Sequence, residues 1–273
     1  MTIMDLSSRY DAFQKDAVRA IVKDFNNNLI GRFLLVIPTG GGKTYAAVKS
    51  VCALFDQKIL DIETETILWT AHRVELEEQA QETFEDFLSK NESSVNLEKN
   101  IKIAMISRVP SLLNSEKSIR LVIIDEAHHS AASSYRPIFS CRRVGVLGLT
   151  ATPSRHDGQS LDFEKESYSI GFPDLLKKGI ILRPEIETIQ GGEYEFVDLG
   201  SNDDLELLNN EARNQKIQHA IKSSFEKYKK IIIYVGTKKH AEDLWKRLKN
   251  YEIAAEYESI SYVLGGGDNS RSQ

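Results

Sequence analysis

Residues 37–44, Ile-Pro-Thr-Gly-Gly-Gly-Lys-Thr, restrict this chain more than any other stretch. The three glycines, Lys43 and Thr44 follow directly on the apolar run 33–37 and lead into 45–55, whose apolar residues recur at helical spacing. A glycine-rich turn between a strand and a helix lets backbone N–H groups converge on an anion, because glycine puts no side chain in the way and tolerates positive φ. The helix N-terminus adds unpaired donors and the positive end of its dipole. The stretch therefore predicts a phosphate cradle of Thr39, Gly40, Gly41 and Gly42. Lys43 would reach the β- and γ-phosphates of a nucleoside triphosphate, and the Thr44 hydroxyl would ligate Mg²⁺. The strict form of the loop has glycine where this chain has Ile37.

Such a loop needs an acidic partner at the carboxyl end of a neighbouring strand. The aliphatic run 121–124 delivers Asp125 and Glu126 to such a place. Asp125 is expected to hold Mg²⁺, through water, and Glu126 to orient and polarise the attacking water. Lys43, Asp125 and Glu126 are thus the expected catalytic group. His128 and His129 follow at once, but two adjacent histidines beside one acidic pair lack any usual zinc-ligand spacing.

Apolar runs of strand length recur at 66–70, 101–106 and 144–149, and helix-period segments such as 74–88 lie among them. Strand and helix in turn predict an α/β fold with a parallel sheet covered on both faces. After Pro184 the pattern loosens, then resumes as a helix over about 210–228, a strand at 231–235 and a helix at 238–249. A second α/β unit is expected to begin there.

The chain has 273 residues, 41% hydrophobic and 27% charged, enough to bury a sizeable core in one large domain or two modest ones. Its net charge of −5 argues against wholesale nucleic-acid coating, but the charge is uneven. Residues 213–249 carry eleven Lys or Arg against three acids, a net +8 against −13 for the remainder. Residues 187–211 carry eight acids and no Lys or Arg. The basic stretch reads either as solvated surface or as a face that tracks phosphates. Cys52 and Cys141 stand far apart in no metal-like spacing, which excludes a disulfide framework and fits a reducing, cytoplasmic setting. No apolar run approaches the length of a bilayer span, and the first ten residues lack the apolar core of a signal peptide, so no membrane role is expected.

In this order and spacing, the loop and the acidic strand end resemble those of superfamily 2 nucleic-acid helicases and translocases of the DEAH-containing type. The nearest likeness is to the group of restriction-enzyme translocating subunits and related DNA-repair helicases. The phosphate loop of that superfamily commonly reads Pro-Thr-Gly-Gly-Gly-Lys-Thr after a residue other than glycine, as it does after Ile37. Asp125-Glu126-Ala127-His128 resembles motif II, and residues 149–158, Leu-Thr-Ala-Thr-Pro-Ser-Arg-His-Asp-Gly, resemble motif III with its trailing Arg-x-Asp-Gly. The resemblance implies that Thr150, Thr152 and His128 couple the ATP site to a nucleic-acid groove. Residues 69–80 resemble motif Ia, which implies phosphate-backbone contacts from His72 and Arg73; their plain alternative is a polar N-cap region of the next helix. Ser107 and Arg108 match a further contact region in position alone. Residues 9–18 resemble the adenine-recognition element, with Phe13 to stack and Gln14 to contact the base edge. Asp11 stands where the family often has arginine, with Arg9 close by.

Residues 230–248 resemble motif IV, with His240 and Ala241 in their usual relation to the strand, and 261–273 resemble the strand and loop that follow. The implied organisation is a RecA-like ATP-binding domain over 1–185, an acidic linker over 186–212 and an incomplete second RecA-like domain over 213–273. ATP and Mg²⁺ are the implied cofactors, and nucleic acid, DNA ahead of RNA, the implied partner, gripped by its backbone. Motifs V and VI, with their arginine finger, have no counterpart, and Arg271 comes too early to be that finger. The expectation is a truncated helicase, or one whose missing half a protein partner supplies, with slow ATP hydrolysis by the isolated chain. A nucleotide-regulated nucleic-acid-binding module without translocation stays open. So does a small-molecule P-loop kinase, which the motif III-like stretch disfavours.

Overall fold

The structure is a computed structural model. It describes residues 3–152, 162–184, 209–224 and 231–249, with side chains from residue 12 onward in those ranges. The chain divides into two compact units, Met1–Pro184 and Glu185–Gln273.

In the first unit the apolar runs become strands β1 (Arg32–Val36), β2 (Thr66–Ala71), β3 (Ile101–Met105), β4 (Ile119–Ile124) and β5 (Gly145–Thr150), within one or two residues of their expected places. A sixth, β6 (Lys165–Ser169), completes a sheet of order β3-β2-β4-β5-β1-β6 in which every pairing is parallel. Two apolar faces explain the unbroken hydrophobicity of the inner strands. Leu35, Ile67, Trp69, Leu121, Ile123, Leu147 and Leu149 enter one core; Leu34, Val36, Leu68, Val122, Ile124 and Val146 enter the other. Helices α1 (Ile3–Asn27), α2 (Lys43–Asp56) and α3 (Val74–Lys90) send Phe13, Val48 and Phe84 into the first. Short helix α4 (Leu97–Asn100) leads into β3. Helices α5 (Val109–Ser115) and α6 (Arg136–Ser140) send Val109, Leu113 and Ile138 into the second. This is the two-faced parallel sheet that the alternation of strand and helix predicts, and the RecA-like form that the resemblance implies.

Strand β6 escaped the hydrophobic pattern because it is a polar edge. Its sequence is Lys-Glu-Ser-Tyr-Ser, and among the described residues it pairs with β1 alone. Tyr168 packs against the first core, and hydrogen bonds from Lys165 Nζ (2.8 Å) and Ser167 Oγ (2.7 Å) to the buried carboxylate of Asp24 fasten the strand to α1. Helix α7 (Phe172–Lys177) follows and buries Leu175 in the first core.

The second unit contains helices Glu211–Ser224 and Lys238–Lys249. Ile221, Leu244 and Leu248 form its small core, with Ile217, Ile231, Ile233 and Val235 packed against it. The expected strand at 231–235 is corrected here: the segment takes part in no ladder among the described residues. A strand exists only through a neighbour's hydrogen bonds, which an apolar run alone does not guarantee. Of the expected acidic linker, residues 186–208 lie outside the described residues, and the helix expected over about 210–228 is described over Glu211–Ser224. Among the described residues no helix is long and apolar enough to cross a membrane.

Candidate nucleotide site

Strand β1, between β5 and the edge strand β6, runs with its continuation Ile37 into the glycine turn. Ile37 is fully buried, and its N–H donates to the Thr150 carbonyl at 3.0 Å, so the loop is anchored to the end of β5. That burial accounts for an aliphatic residue at this position. Gly40 and Gly42 have φ of 80° and 78°, the left-handed region that glycine reaches at little cost. Gly42 is the N-cap of α2, with no side-chain hydrogen bond over the helix end and no acid in the first turn. An anion at that end meets a positive dipole and no carboxylate from the helix's own first turn.

Strand β4 ends beside β2, where the Asp125 N–H donates to the Thr70 carbonyl at 3.0 Å. Asp125 is 3% exposed, and burial, against the pull of the Lys43 charge, raises its carboxyl above the ordinary carboxylate range. Its Oδ1 accepts the Glu126 N–H at 2.9 Å. Glu126 sits at φ 51°, uncommon for a residue with a side chain, at the entry to the 3-10 turn Ala127–His129. Lys43 Nζ lies 2.6 Å from Glu126 Oε1 and 3.7 Å from Asp125 Oδ1. Residues 83 positions apart thus meet in one charged cluster.

The buried carboxylate of Asp125 and the hydroxyl of Thr44 are hard oxygen donors of the kind Mg²⁺ takes together with water and nucleotide phosphates. Among the described residues no group of three His, Cys, Asp or Glu is arranged to hold a metal by protein ligands alone. Thr39 and Gly40 are exposed at the loop, and Gly41 is buried against Ile37 and Leu175.

Other expected site residues fall in varied places. Phe13 is 1% exposed inside the first core, so its ring offers no open face for a base. Gln14 is also buried, and its Oε1 accepts from Lys49 Nζ at 3.2 Å. Thr150 and Thr152 form a closed local turn: Thr150 Oγ1 accepts the Thr152 N–H at 3.1 Å and donates to the Thr152 carbonyl at 2.8 Å. The trailing residues 153–158, and the motif-like stretch 261–273 with Arg271, lie outside the described residues. So do the side chains of Arg9 and Asp11. Arg73 is the exposed N-cap of α3 and makes no side-chain capping bond. Arg108 is exposed at the end of β3, the strand that pairs with β2. The two arginines therefore stand past the carboxyl ends of adjacent strands. The His72 ring meets that of His129 at 4.6 Å between centroids. His128 Nδ1 lies 3.2 Å from Glu126 Oε2.

Sequence reading missed Thr70 and Tyr135. Both are buried near Asp125, with hydroxyls that find no hydrogen-bond partner among the described residues. Burial, and then the Asp125 charge, raises the Tyr135 phenol above its ordinary value. No local pattern marks a tyrosine ten residues after Asp125. In the second unit, Thr237 Oγ1 accepts the His240 N–H at 3.1 Å and the Thr237 carbonyl accepts the Ala241 N–H at 3.1 Å, a helix start of the usual threonine type.

Known proteins resemble this chain in sequence. The family model of the type III restriction enzyme res subunit matches residues 8–155, more than half of the chain. The putative mitochondrial ATP-dependent helicase irc3 of Schizosaccharomyces pombe is 27% identical over 75% of this chain and 36% of its own length. The putative ATP-dependent helicase IRC3 of Saccharomyces cerevisiae is 24% identical over 90% of this chain and 40% of its own. The DNA 3'-5' translocase XPB2 of Sulfurisphaera tokodaii is 29% identical over 66% of this chain and 36% of its own. The chain thus spans well under half the length of these curated relatives. Among solved structures, a Type ISP restriction-modification enzyme, LlaGI, aligns over 78% of this chain and 23% of its own with a TM-score of 0.49 and 16% identity, a likeness too loose to add weight. Phosphate loop, acidic strand end and threonine turn all fall within the matched residues, and the chain belongs to the type III restriction enzyme res subunit family of superfamily 2 helicases and translocases.

Proposed function

We propose that this chain binds Mg-ATP and forms the nucleotide-binding part of a nucleic-acid helicase or translocase. The observation that carries the reading is the meeting of Lys43 with Asp125 and Glu126 beside a glycine turn whose helix has no acid in its own first turn. Thr39 to Gly42 would donate backbone N–H groups to the phosphates, and Lys43 would leave the carboxylates to neutralise the β- and γ-phosphates. Thr44 and Asp125 would hold Mg²⁺, which when bound offsets charge on the phosphate oxygens. Glu126 would accept a proton from the attacking water. Gln14 remains the candidate for the base edge, and the burial of Phe13 favours a packing role for it.

The nucleic acid would cross the strand ends near Arg73 and Arg108, with Thr150 and Thr152 in the turn that ties the β5 end to the phosphate loop through Ile37. The relatives' names favour DNA. Backbone recognition makes affinity fall steeply with salt and vary little with sequence. An anisotropy titration in rising salt checks this, and flat affinity or a strong preference for one oligonucleotide contradicts it. A protein partner, and a reducing cytoplasmic setting for the unpaired Cys52 and Cys141, complete the proposal.

Calorimetry tests its centre. Lys43→Ala removes a charge-assisted contact and should weaken ATP binding by about 2 kcal/mol. Equal affinity in both versions would remove the basis of the assignment.

A further inference from the structure

We infer that His72 is a positioning residue for Glu126 and acts through the rings of His129 and His128. Glu126 has a different neighbour at each carboxylate oxygen: Lys43 Nζ bonds to Oε1 (2.6 Å), and His128 Nδ1 lies 3.2 Å from Oε2 in close contact, without hydrogen-bond geometry. In the reading above, which this inference rests on, Lys43 serves the phosphates during the reaction. The His128 ring then remains as the side chain packed against the glutamate. Its ring in turn lies against that of His129, with centroids 4.1 Å apart and planes at 43°. The His129 ring meets His72 edge-on at 4.6 Å and 63°. Four side chains from two strand ends thus form one continuous row.

The start of the row is well fixed. His72 follows the last residue of β2, and the Asp125 bond to Thr70 holds that strand end against the end of β4. Arg73 is exposed, whereas the His72 ring is half-buried, with an Nδ1 that is buried and without a hydrogen-bond partner among the described residues. On that side the ring contributes packing and no hydrogen bond. Burial first, and then the neighbouring His129 and Arg73, lower its proton affinity, as suits a ring used for contact. A small displacement of a catalytic group is costly in rate while leaving ground-state binding intact. The motif Ia-like loop, placed to meet nucleic acid through Arg73, is therefore linked mechanically to the group that activates water.

The test measures hydrolysis at saturating ATP, ATP affinity, nucleic-acid affinity and thermal midpoint for wild type, His72→Ala, His72→Phe, Glu126→Gln and the double variant His72→Ala/Glu126→Gln. His72→Ala should slow hydrolysis about tenfold with both affinities unchanged, and His72→Phe, which keeps the ring contact, should stay within about threefold of wild type. In the Glu126→Gln background His72→Ala should cost nothing more, because both act on one group. Hydrolysis unchanged in His72→Ala, a loss confined to nucleic-acid affinity, or losses that multiply in the double variant would each overturn the inference. If Glu126→Gln itself leaves hydrolysis intact, the fault lies with the role given to Glu126. Imidazole ¹H–¹⁵N spectra give a readout independent of turnover: His72→Ala should shift the signals of His128 as well as His129, and unmoved His128 signals refute the row.

Discussion

Residues 32–36 and 231–235 are near twins in sequence and opposites in structure. Each is a short apolar run, Arg-Phe-Leu-Leu-Val in one and Ile-Ile-Ile-Tyr-Val in the other, that leads through a turn into a helix. The first is ladder-bonded on both sides, to β5 and to β6, and both its faces are buried. The second has no ladder among the described residues. Its odd positions touch the helices, while Ile232 and Tyr234 stand 77% and 90% exposed. Hydrophobicity makes a strand possible, and neighbours make it real.

The largest effect that sharpens this contrast is expected at Leu35, which is fully buried on β1 in the first core. Leu35→Ala should cost about 2 to 5 kcal/mol in urea unfolding of the first unit, from lost transfer energy and the cavity left behind. A loss under about 1 kcal/mol would mean that this core collapses around the gap as a loose core does.

A smaller effect is expected from pH in the second unit. His240 Nε2 pairs with Asn214 Oδ1 at 2.9 Å, while Nδ1 is buried and without a hydrogen-bond partner among the described residues. Burial first, and the Arg213 charge next, lower its proton affinity below the ordinary value of 6.5, with Asp243 opposing. The unfolded chain therefore takes up this proton before the folded unit does. Stability from this group is full at neutral pH and above, and is lost as pH falls below 6.5 and through the lower folded value. Amide protection in the helix Lys238–Lys249, corrected for intrinsic exchange, should drop between pH 7.5 and 5.5. Protection that holds or rises would contradict the sign. His240→Asn should flatten the dependence.

The smallest effect tests the exposed face itself. Ile232→Ala should change stability by no more than about 0.5 kcal/mol, as surface substitutions do. A cost above about 2 kcal/mol would mean that this face is covered in solution, as its twin is in the first sheet.

Much of the nucleotide site was legible because its chemistry is written locally. Gly40, Gly42, Lys43 and Thr44 are adjacent, and the run before Asp125 announces a buried strand by composition alone. Strand β6 was not legible: its polar residues are held by Asp24 in α1, 141 positions from Lys165 in the chain. Tyr135 and Thr70 were missed for a similar reason, since burial beside Asp125 is a property of the assembled sheet.

What the chain's order of residues determined alone is the alternation of strand and helix, the left-handed glycines of the loop and the acidic pair at a strand end. Each depends on contacts or torsions within a few residues. Only the tertiary structure decided that Lys43 meets Glu126, that Phe13 lies in the core and that His72 faces His129 while Arg73 remains in solvent. Those outcomes depend on which strands become neighbours. Strand order is set by packing across the whole sheet and is encoded in no single segment.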